Sequence, residues 1–507
     1  MNGLVRSWAL AEWEESSPPL SWPKDCGAGT LRSPTILPVR PEVVTANKTT
    51  KTPYYTGIMR YILTLALGSS TLFAAAPEPV TFNRNIAPII YNNCSACHRL
   101  GEAAPFSLLS YQDVAKKGQL IAAVTTSRQM PPWKAEQASF SYRDERRLKD
   151  SEIALLQQWV KHGMPEGKAA DKPAPPEFKS GWRLGEPDLI VEMPAAYHIP
   201  AEGADIYRNI AIPLGLTEDK WITALDMRLT ARAVVHHVLY FADPAGKAHS
   251  REAEGMEPGF SGMRAGGASV PLGGWALGAQ PHFFPEGLAL PVTRGSDLVI
   301  QYHFHPDGKP EAEKSVIGLY FAKKVPERTL TSIQLPPVYS LFAGLNIPAG
   351  EKDYVARDSY TLPAALDAVG VSAHAHYIAK LFKMTATLPN GDVQTLLEIK
   401  DWDFAWQDRY FFQKFVPLPK GTRLDAEIHW DNSAANPRNP SSPPVTVTWG
   451  EQSKDEMGSL TLIGAPHEQT ELSIIQKDFR THLETKARER IMQDPAFALK
   501  LRALMAN

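Results

Sequence analysis

The sequence predicts a multidomain chain: a small all-α domain, then two all-β sandwiches, then a short helical C-terminal tail. Three observations carry that expectation. Apolar residues recur at helical spacing near residues 82–90 and 153–160. Between about 181 and 468 they alternate in short runs broken by turn residues. From 469 the chain becomes charged and helix-favouring, as in "KDFRTHLETKARERIMQDPAFALKLRALMAN". A length of 507 residues leaves room for about three domains. With 43% hydrophobic and 21% charged residues, large packed cores are within reach. A net charge of −2 removes the electrostatic case for nucleic acid as a partner.

Residues 1–58 are rich in Pro, Thr and Trp without sustained periodicity, and read as a non-native N-terminal extension. Met59 and Arg60 then open "YILTLALGSSTLF" followed by "AAA". A basic start, a short apolar run and a small-residue stop form an export signal over 59–76. The run is too short to span a bilayer comfortably. The mature chain is therefore expected in the periplasm or outside a bacterial cell, without Cys26 and with only two of the three cysteines.

The all-α domain is expected over 77–168. In "TFNRNIAPII", Phe82, Ile86, Ile89 and Ile90 share a helical face that leads into Cys94-Ser-Ala-Cys97-His98. C-x-x-C-H is the attachment signature of c-type haem, in which both thiols add to the vinyl groups and the histidine binds iron. A zinc site would need a second ligand pair nearby, and an ordinary redox C-x-x-C would not need His98. "RQMPPW" supplies Met130 as the expected opposite iron ligand, with Met164 as the rival. A helix capped by Asp150 or Ser151 and burying Ile153, Leu156, Trp159 and Val160 would close the domain. This order resembles the class I cytochrome c fold, and a His/Met haem implies electron transfer rather than oxygen activation.

A Pro- and Ala-rich spacer over 169–180 precedes the strands, which divide into sandwiches at 181–327 and 328–468, with the helical tail at 469–507. Of 14 histidines, six fall in three tight clusters: His236-His237, His303-x-His305 and His374-x-His376. Alternate strand residues share a face, so each H-x-H can present two imidazoles to one ion. The adjacent pair needs a bulge or a strand end to converge. With no cysteine in the sandwiches, the ligands on offer are imidazole and thioether, a set that suits copper changing oxidation state.

Four stretches, "AVVHHVLYF", "WALGAQPHFFPEGLALPVTRGSDLVIQYHF", "VSAHAHYIAK" and "SKDEMGSLTLIG", resemble in order the motifs of the copper type II, ascorbate-dependent monooxygenases. That family includes peptidylglycine α-hydroxylating and dopamine β-monooxygenases, and the resemblance covers roughly 225–465. It implies two jelly-roll-like sandwiches, each with one copper. His236, His237 and His303 would hold the electron-receiving copper, with Gln301 matching a neighbouring family glutamine. His374, His376 and Met457 would hold the oxygen-activating copper. The implied activity is hydroxylation of a C–H bond in a small substrate with O2. Electrons would come from an external ascorbate-like reductant or redox protein, here through the haem. Ser372 and Ser459 stand where the peptide-processing member grips a carboxylate, so a peptide substrate is not expected. His282 and His305 have no assigned counterpart.

Three other readings compete. His303-x-His305 followed by Glu311 loosely echoes a cupin-type iron dioxygenase. A haem module on a non-catalytic sandwich could dock to a cell surface, and a pure electron carrier or copper-handling protein would need no catalysis. If Met130 binds the haem iron, replacing it is expected to abolish the near-infrared sulfur-to-iron band. Survival of that band would point to Met164.

Overall fold

Strands form where apolar residues alternate. In Arg423–Trp430, Leu424, Ala426, Ile428 and Trp430 are buried and the residues between them are not, the period-2 pattern of a half-covered strand. Asp297–Phe304 is buried at every position, as suits a central strand covered on both faces. The computed structural model describes residues 78–102, 104–178, 181–252, 257–262 and 270–506. Residues 80–507 form one compact unit. The extension 1–58, Cys26 and the export segment 59–76 lie outside the described residues. Among the described residues no helix is long and apolar enough to cross a membrane.

Two sandwiches follow one another along the chain. The first pairs two five-stranded sheets. One is ordered Leu189–Glu192, Val316–Phe321, Lys220–Arg228, Leu288–Val292 and Arg328–Thr329. The other is ordered Phe260–Ser261, Ile206–Pro213, Asp297–Phe304, Val235–Asp243 and Val270–Ala276. The second sandwich pairs two four-stranded sheets. Thr331–Leu335, Gly458–Pro466, Leu366–Ala375 and Arg409–Leu418 make one, and Tyr354–Thr361, Arg423–Trp430, Ala379–Thr387 and Val393–Ile399 make the other. Spatial neighbours are mostly distant in sequence, so the register of each sheet depends on its buried face. Gly391, at φ +92°, turns the Asn390-Gly391 hairpin.

The Gly458–Pro466 sheet packs on the first sandwich. Val369 and Ala465 join the first sandwich's core, and Phe411, Phe415 and Ile463 pack against it. The seam between the sandwiches is therefore apolar at one end, which fixes the two sheets face to face.

The expected fold class is corrected at its first element. Among the described residues the fold is predominantly β, with 19% helix, and the helices before residue 172 do not close into an all-α cytochrome c domain. Phe82–Ile86, Ala87–Asn93, Tyr111–Lys116, Gly118–Thr126 and Asp150–Lys161 do share a small core with Ile90, Leu156 and Trp159. The chain between the last two helices leaves that core. Trp133, Ala135 and Tyr142 join the core of the second sandwich, and Tyr142 bridges to Phe412. Glu136 and Ser139 donate backbone hydrogen bonds to Glu398 and Thr395 on that sandwich's edge strand. The physical reason was available in the sequence: a structureless loop of about 20 residues is improbable inside so small a domain. At the other end, Ile475 of the helix Leu472–Gln493 is buried in the second sandwich's core, so the tail is a packing element.

Tyr142 is 2% exposed and donates its hydroxyl to the Leu396 carbonyl at 2.6 Å. Tyr142→Ala is expected to cost about 3–5 kcal/mol in denaturant unfolding. Tyr142→Phe, which keeps the ring, is expected to cost only about 1 kcal/mol. Equal costs would mean that the ring does not anchor the segment.

Candidate metal centre

A bulge brings the first histidines together. Val235–Asp243 pairs with Asp297–Phe304, and the register slips between Val235 and His237, so that His237 stands opposite His303 and His236 is the extra residue. The extra residue bends the strand locally and lets adjacent imidazoles turn to the same side. One ligand atom from each of His236, His237 and His303 lies within 4.8 Å of the others. His236 Nδ1 is 3.1 Å from His237 Nδ1 and 3.2 Å from His303 Nδ1.

The outward nitrogens of His236 and His303 meet protein oxygens. His236 Nε2 lies 2.8 Å from the Phe404 carbonyl, which requires a proton on Nε2 and leaves the lone pair on Nδ1. His303 Nε2 lies 3.1 Å from Asp205 Oδ2, at an angle too oblique for a full hydrogen bond, and the Tyr207 ring stacks on His303 at 4.4 Å. Burial works against the Asp205 carboxylate, yet contacts from His303, His305 and Ser453 hold it well below the usual carboxylate range.

His374 and His376 show the opposite arrangement. His374 Nδ1 is 2.6 Å from Gln407 Oε1, and His376 Nδ1 is 3.1 Å from the Asp455 carbonyl. The Nε2 atoms of both rings are buried without a hydrogen-bond partner. An orphaned buried nitrogen is costly unless something else binds it. Met457, 1% exposed, precedes the strand in which Gly458 pairs with Ala375 and Ser459 with His374. It therefore lies at the register position beside His376.

Glu456 fixes that register. Its buried carboxylate accepts backbone hydrogen bonds from His376, Ile378 and Met457 at 2.8–3.0 Å and one from the Trp430 indole at 3.2 Å. Burial pushes the carboxyl up to about 8, against these four donors, which favour charge.

The two groups meet at the seam. The His237 and His374 rings are 6.1 Å apart. Phe404 stacks on His236 at 4.5 Å and lies 5.9 Å from His376, filling the space between. Phe404 and Gln407 belong to the loop 400–408, which the N-terminal segment braces at both ends. Lys134 pairs with Asp401 at 2.9 Å, and Arg146 pairs with Asp408. Burial lowers all five imidazoles, His374 to about 4 and His376 to about 3. They are thus neutral ligands at ordinary pH.

Cys94 ends the helix Ala87–Asn93, and His98 turns back with its amide on the Cys94 carbonyl at 2.9 Å. His98 Nδ1 lies 3.2 Å from the Phe106 carbonyl, the kind of contact that fixes the ring of a metal-bound histidine. The two cysteines are not bonded to each other. Burial, then the neighbouring Cys97, pushes the Cys94 thiol up to about 12, and burial also raises Cys97. Burial thus keeps both thiols in the protonated form. Met130 donates its amide to the Val124 carbonyl at 3.1 Å and is half-buried. Met164 packs on the helical core, and a methyl group on Gly118 would lie 2.3 Å from its sulfur.

His305 supports from behind, 2.6 Å from Asp205 Oδ1. His282 pairs with Asp144 at 3.2 Å. Gln301 donates to Asn209 at 2.9 Å. Glu311 lies on a strand paired with Tyr197–Ile199. Among the described residues the metal-sized group of His, Cys and acidic side chains is His236, His237 and His303, without His305 or Glu311. Sequence reasoning missed Asp205, Phe404 and Gln407. None carries a local signal, because each acts across a long sequence separation. Glu456 was visible only as the middle of "DEM".

No family model matches this chain, and no curated protein matches it. Solved structures share only scattered likeness. The VP2 subviral particle of infectious bursal disease virus is 9% identical over 56% of this chain and 72% of that one, with a TM-score of 0.18. PNGF-II is 12% identical over 52% of this chain and 60% of its own, at 0.22. The major capsid protein P2 of bacteriophage PM2 is 8% identical over 52% and 96%, at 0.20. Scores this low carry no argument about fold or activity.

Zinc serves as a spectroscopically silent probe of the three-histidine group. Asp205→Asn is expected to weaken its binding about 10–100-fold in competition with a chromophoric chelator. Unchanged affinity would mean that the carboxylate does not orient His303.

Proposed function

We propose that the chain is an exported copper-dependent monooxygenase that hydroxylates a C–H bond of a small substrate with O2. One observation carries this reading: five imidazoles converge at one seam, and protein contacts on four of them favour opposite tautomers in its two halves. Three offer Nδ1 toward one point, and two offer Nε2 beside a buried methionine. Three imidazoles form a harder donor set, and two imidazoles with a thioether form a softer one that favours Cu(I). Copper held in these sets would supply electron acceptance at the first and oxygen activation at the second. The donor chemistry is what supports the resemblance to the copper type II, ascorbate-dependent monooxygenases.

The remaining residues prepare the site. Phe404 excludes water between the two groups, Gln407 and the Asp455 carbonyl keep Nε2 of His374 and His376 unprotonated, and Glu456 holds His376 and Met457 together. Haem attached to Cys94 and Cys97, with His98 and Met130 on its iron, would store an electron delivered by an external ascorbate-like reductant or redox protein. Two links favour transfer onward from there. Glu102, close after His98, pairs with Arg232 on the turn that enters the His236 strand at 2.6 Å. Arg146, whose charge acts on Cys97, pairs with Asp408 beside Gln407.

Metal analysis of the purified protein tests the reading. Two coppers and one haem iron per chain are expected; iron at the histidines would favour a dioxygenase, and no metal beyond the haem would favour a binding module. Met457→His is expected to keep both coppers while slowing O2 consumption at least about 100-fold. Wild-type O2 consumption in that variant would remove the thioether from the account.

A further inference from the structure

We infer that the two C-terminal helices brace the thioether donor: they clamp the turn 338–344, and Ser340 in that turn positions Met457. This rests on the reading of Met457 as a metal ligand. Neither helix of the charged tail, Leu472–Gln493 or Phe497–Ala506, supplies a ligand to the two donor sets. Both act at one remove. A methionine side chain is unbranched and flexible, so its sulfur keeps one position only if the backbone on either side is fixed.

Both flanks of Met457 are tied to the same neighbouring stretch. On the C-terminal side, Gly458 donates its amide to the Tyr339 carbonyl at 3.1 Å, and its carbonyl accepts the Ser340 hydroxyl at 2.6 Å. On the N-terminal side, Glu456 donates its amide to the Thr448 carbonyl at 3.1 Å, and its carbonyl accepts the Gly450 amide at 3.2 Å. Trp449, between those two partners, donates its own amide to the Leu345 carbonyl at 3.2 Å. The turn therefore reaches Met457 from both directions. It also sets the Tyr339 ring 5.1 Å from His374. Ser340 is fully buried, and its hydroxyl is the side-chain group that grips Gly458.

Such a turn does not hold itself. Val338, Tyr339 and Ser340 occupy the left-handed region in succession, at φ 49°, 53° and 69°. That region is unfavourable for residues with a Cβ, and most for a branched one such as valine. Strain of this kind persists only where the surrounding structure over-determines it. The tail supplies the cover. A methyl group on Gly344 would lie 2.8 Å from the Arg490 guanidinium carbon, so the first tail helix lies directly on the turn. Phe497, 4% exposed, meets the Phe342 ring edge-on at 6.4 Å. Arg490 stands over the Phe497 ring at 5.4 Å and pairs with Asp494 at 3.1 Å, which ties the two helices to each other. Lys500 lies 5.6 Å from the Trp449 ring and covers the N-terminal flank as well. Without this cover the turn can relax and draw Gly458, and with it Met457, away from His374 and His376. The three-imidazole set would be untouched.

Titration of the full, reduced chain with Cu(I) against a chromophoric chelator tests this, because it reads two affinities and needs no turnover. Met457→Leu identifies the thioether set as the one whose Cu(I) affinity falls at least about tenfold. Ser340→Gly removes the hydroxyl yet suits the left-handed backbone. It is expected to weaken that same set about tenfold, as loss of an outer partner does. Phe497→Ala, remote from every ligand, is expected to weaken it at least about threefold. The three-imidazole set should stay within about twofold in both variants, as an independent site does. In the Met457→Leu background neither substitution should have a further effect, since each acts through the residue already lost. The brace is overturned if either substitution leaves the thioether set unchanged, weakens both sets alike, or keeps its effect without Met457. If Ser340→Gly or Phe497→Ala does not fold, Ser340→Ala or Phe497→Leu decides in its place. Met457→Leu that left both affinities unchanged would remove the thioether from the oxygenase reading, and the brace with it.

Discussion

Five imidazoles gathered at one seam, three of them buried, impose the constraint from which the rest of the structure follows. A buried imidazole must be neutral, and each ring nitrogen needs a partner. The protein answers by pinning one nitrogen on four of the rings, using the Phe404 carbonyl, Asp205, Gln407 and the Asp455 carbonyl. Two of these come from the loop 400–408, which must then enter the seam and stay there. Lys134 and Arg146 hold its ends, so a segment far away in sequence is drawn onto the second sandwich. The departure from a closed all-α domain and the geometry of the histidines are thus one requirement seen at two places.

The same logic explains why a carboxylate sits in the core of the second sandwich. Where the His374 strand ends, three backbone amides would otherwise lose their sheet partners, and Glu456 takes all three. Burying the acid is unfavourable by itself, but it ties His376 to Met457 without a disulfide. The sandwiches contain no cysteine, so connections of this kind, together with packed cores, must hold the site in place.

Much of the site could be read from local pattern. Alternation placed His374 and His376 on one face, and the adjacency of His236 and His237 called for a bulge or a strand end, of which the slipped register supplies the bulge. The period-2 runs likewise marked the sandwiches, and Phe82, Ile86 and Ile90 marked the first helical face. What escaped depends on contacts between distant residues. Trp133, Ala135 and Tyr142 fall within the stretch expected to belong to the all-α domain, yet they join the second sandwich's core. Asp205, Phe404 and Gln407 are unremarkable in sequence, and each meets a histidine only when the sheets are brought face to face.

The central claim is that two chemically different donor sets lie side by side, one of three imidazoles and one of two imidazoles with Met457. X-ray absorption at the copper edge of the reduced, copper-loaded protein tests it most directly. The account predicts imidazole scattering together with one sulfur shared over two copper ions, and loss of that sulfur in Met457→Leu. A spectrum with imidazole alone, or sulfur scattering that persists without Met457, would contradict it.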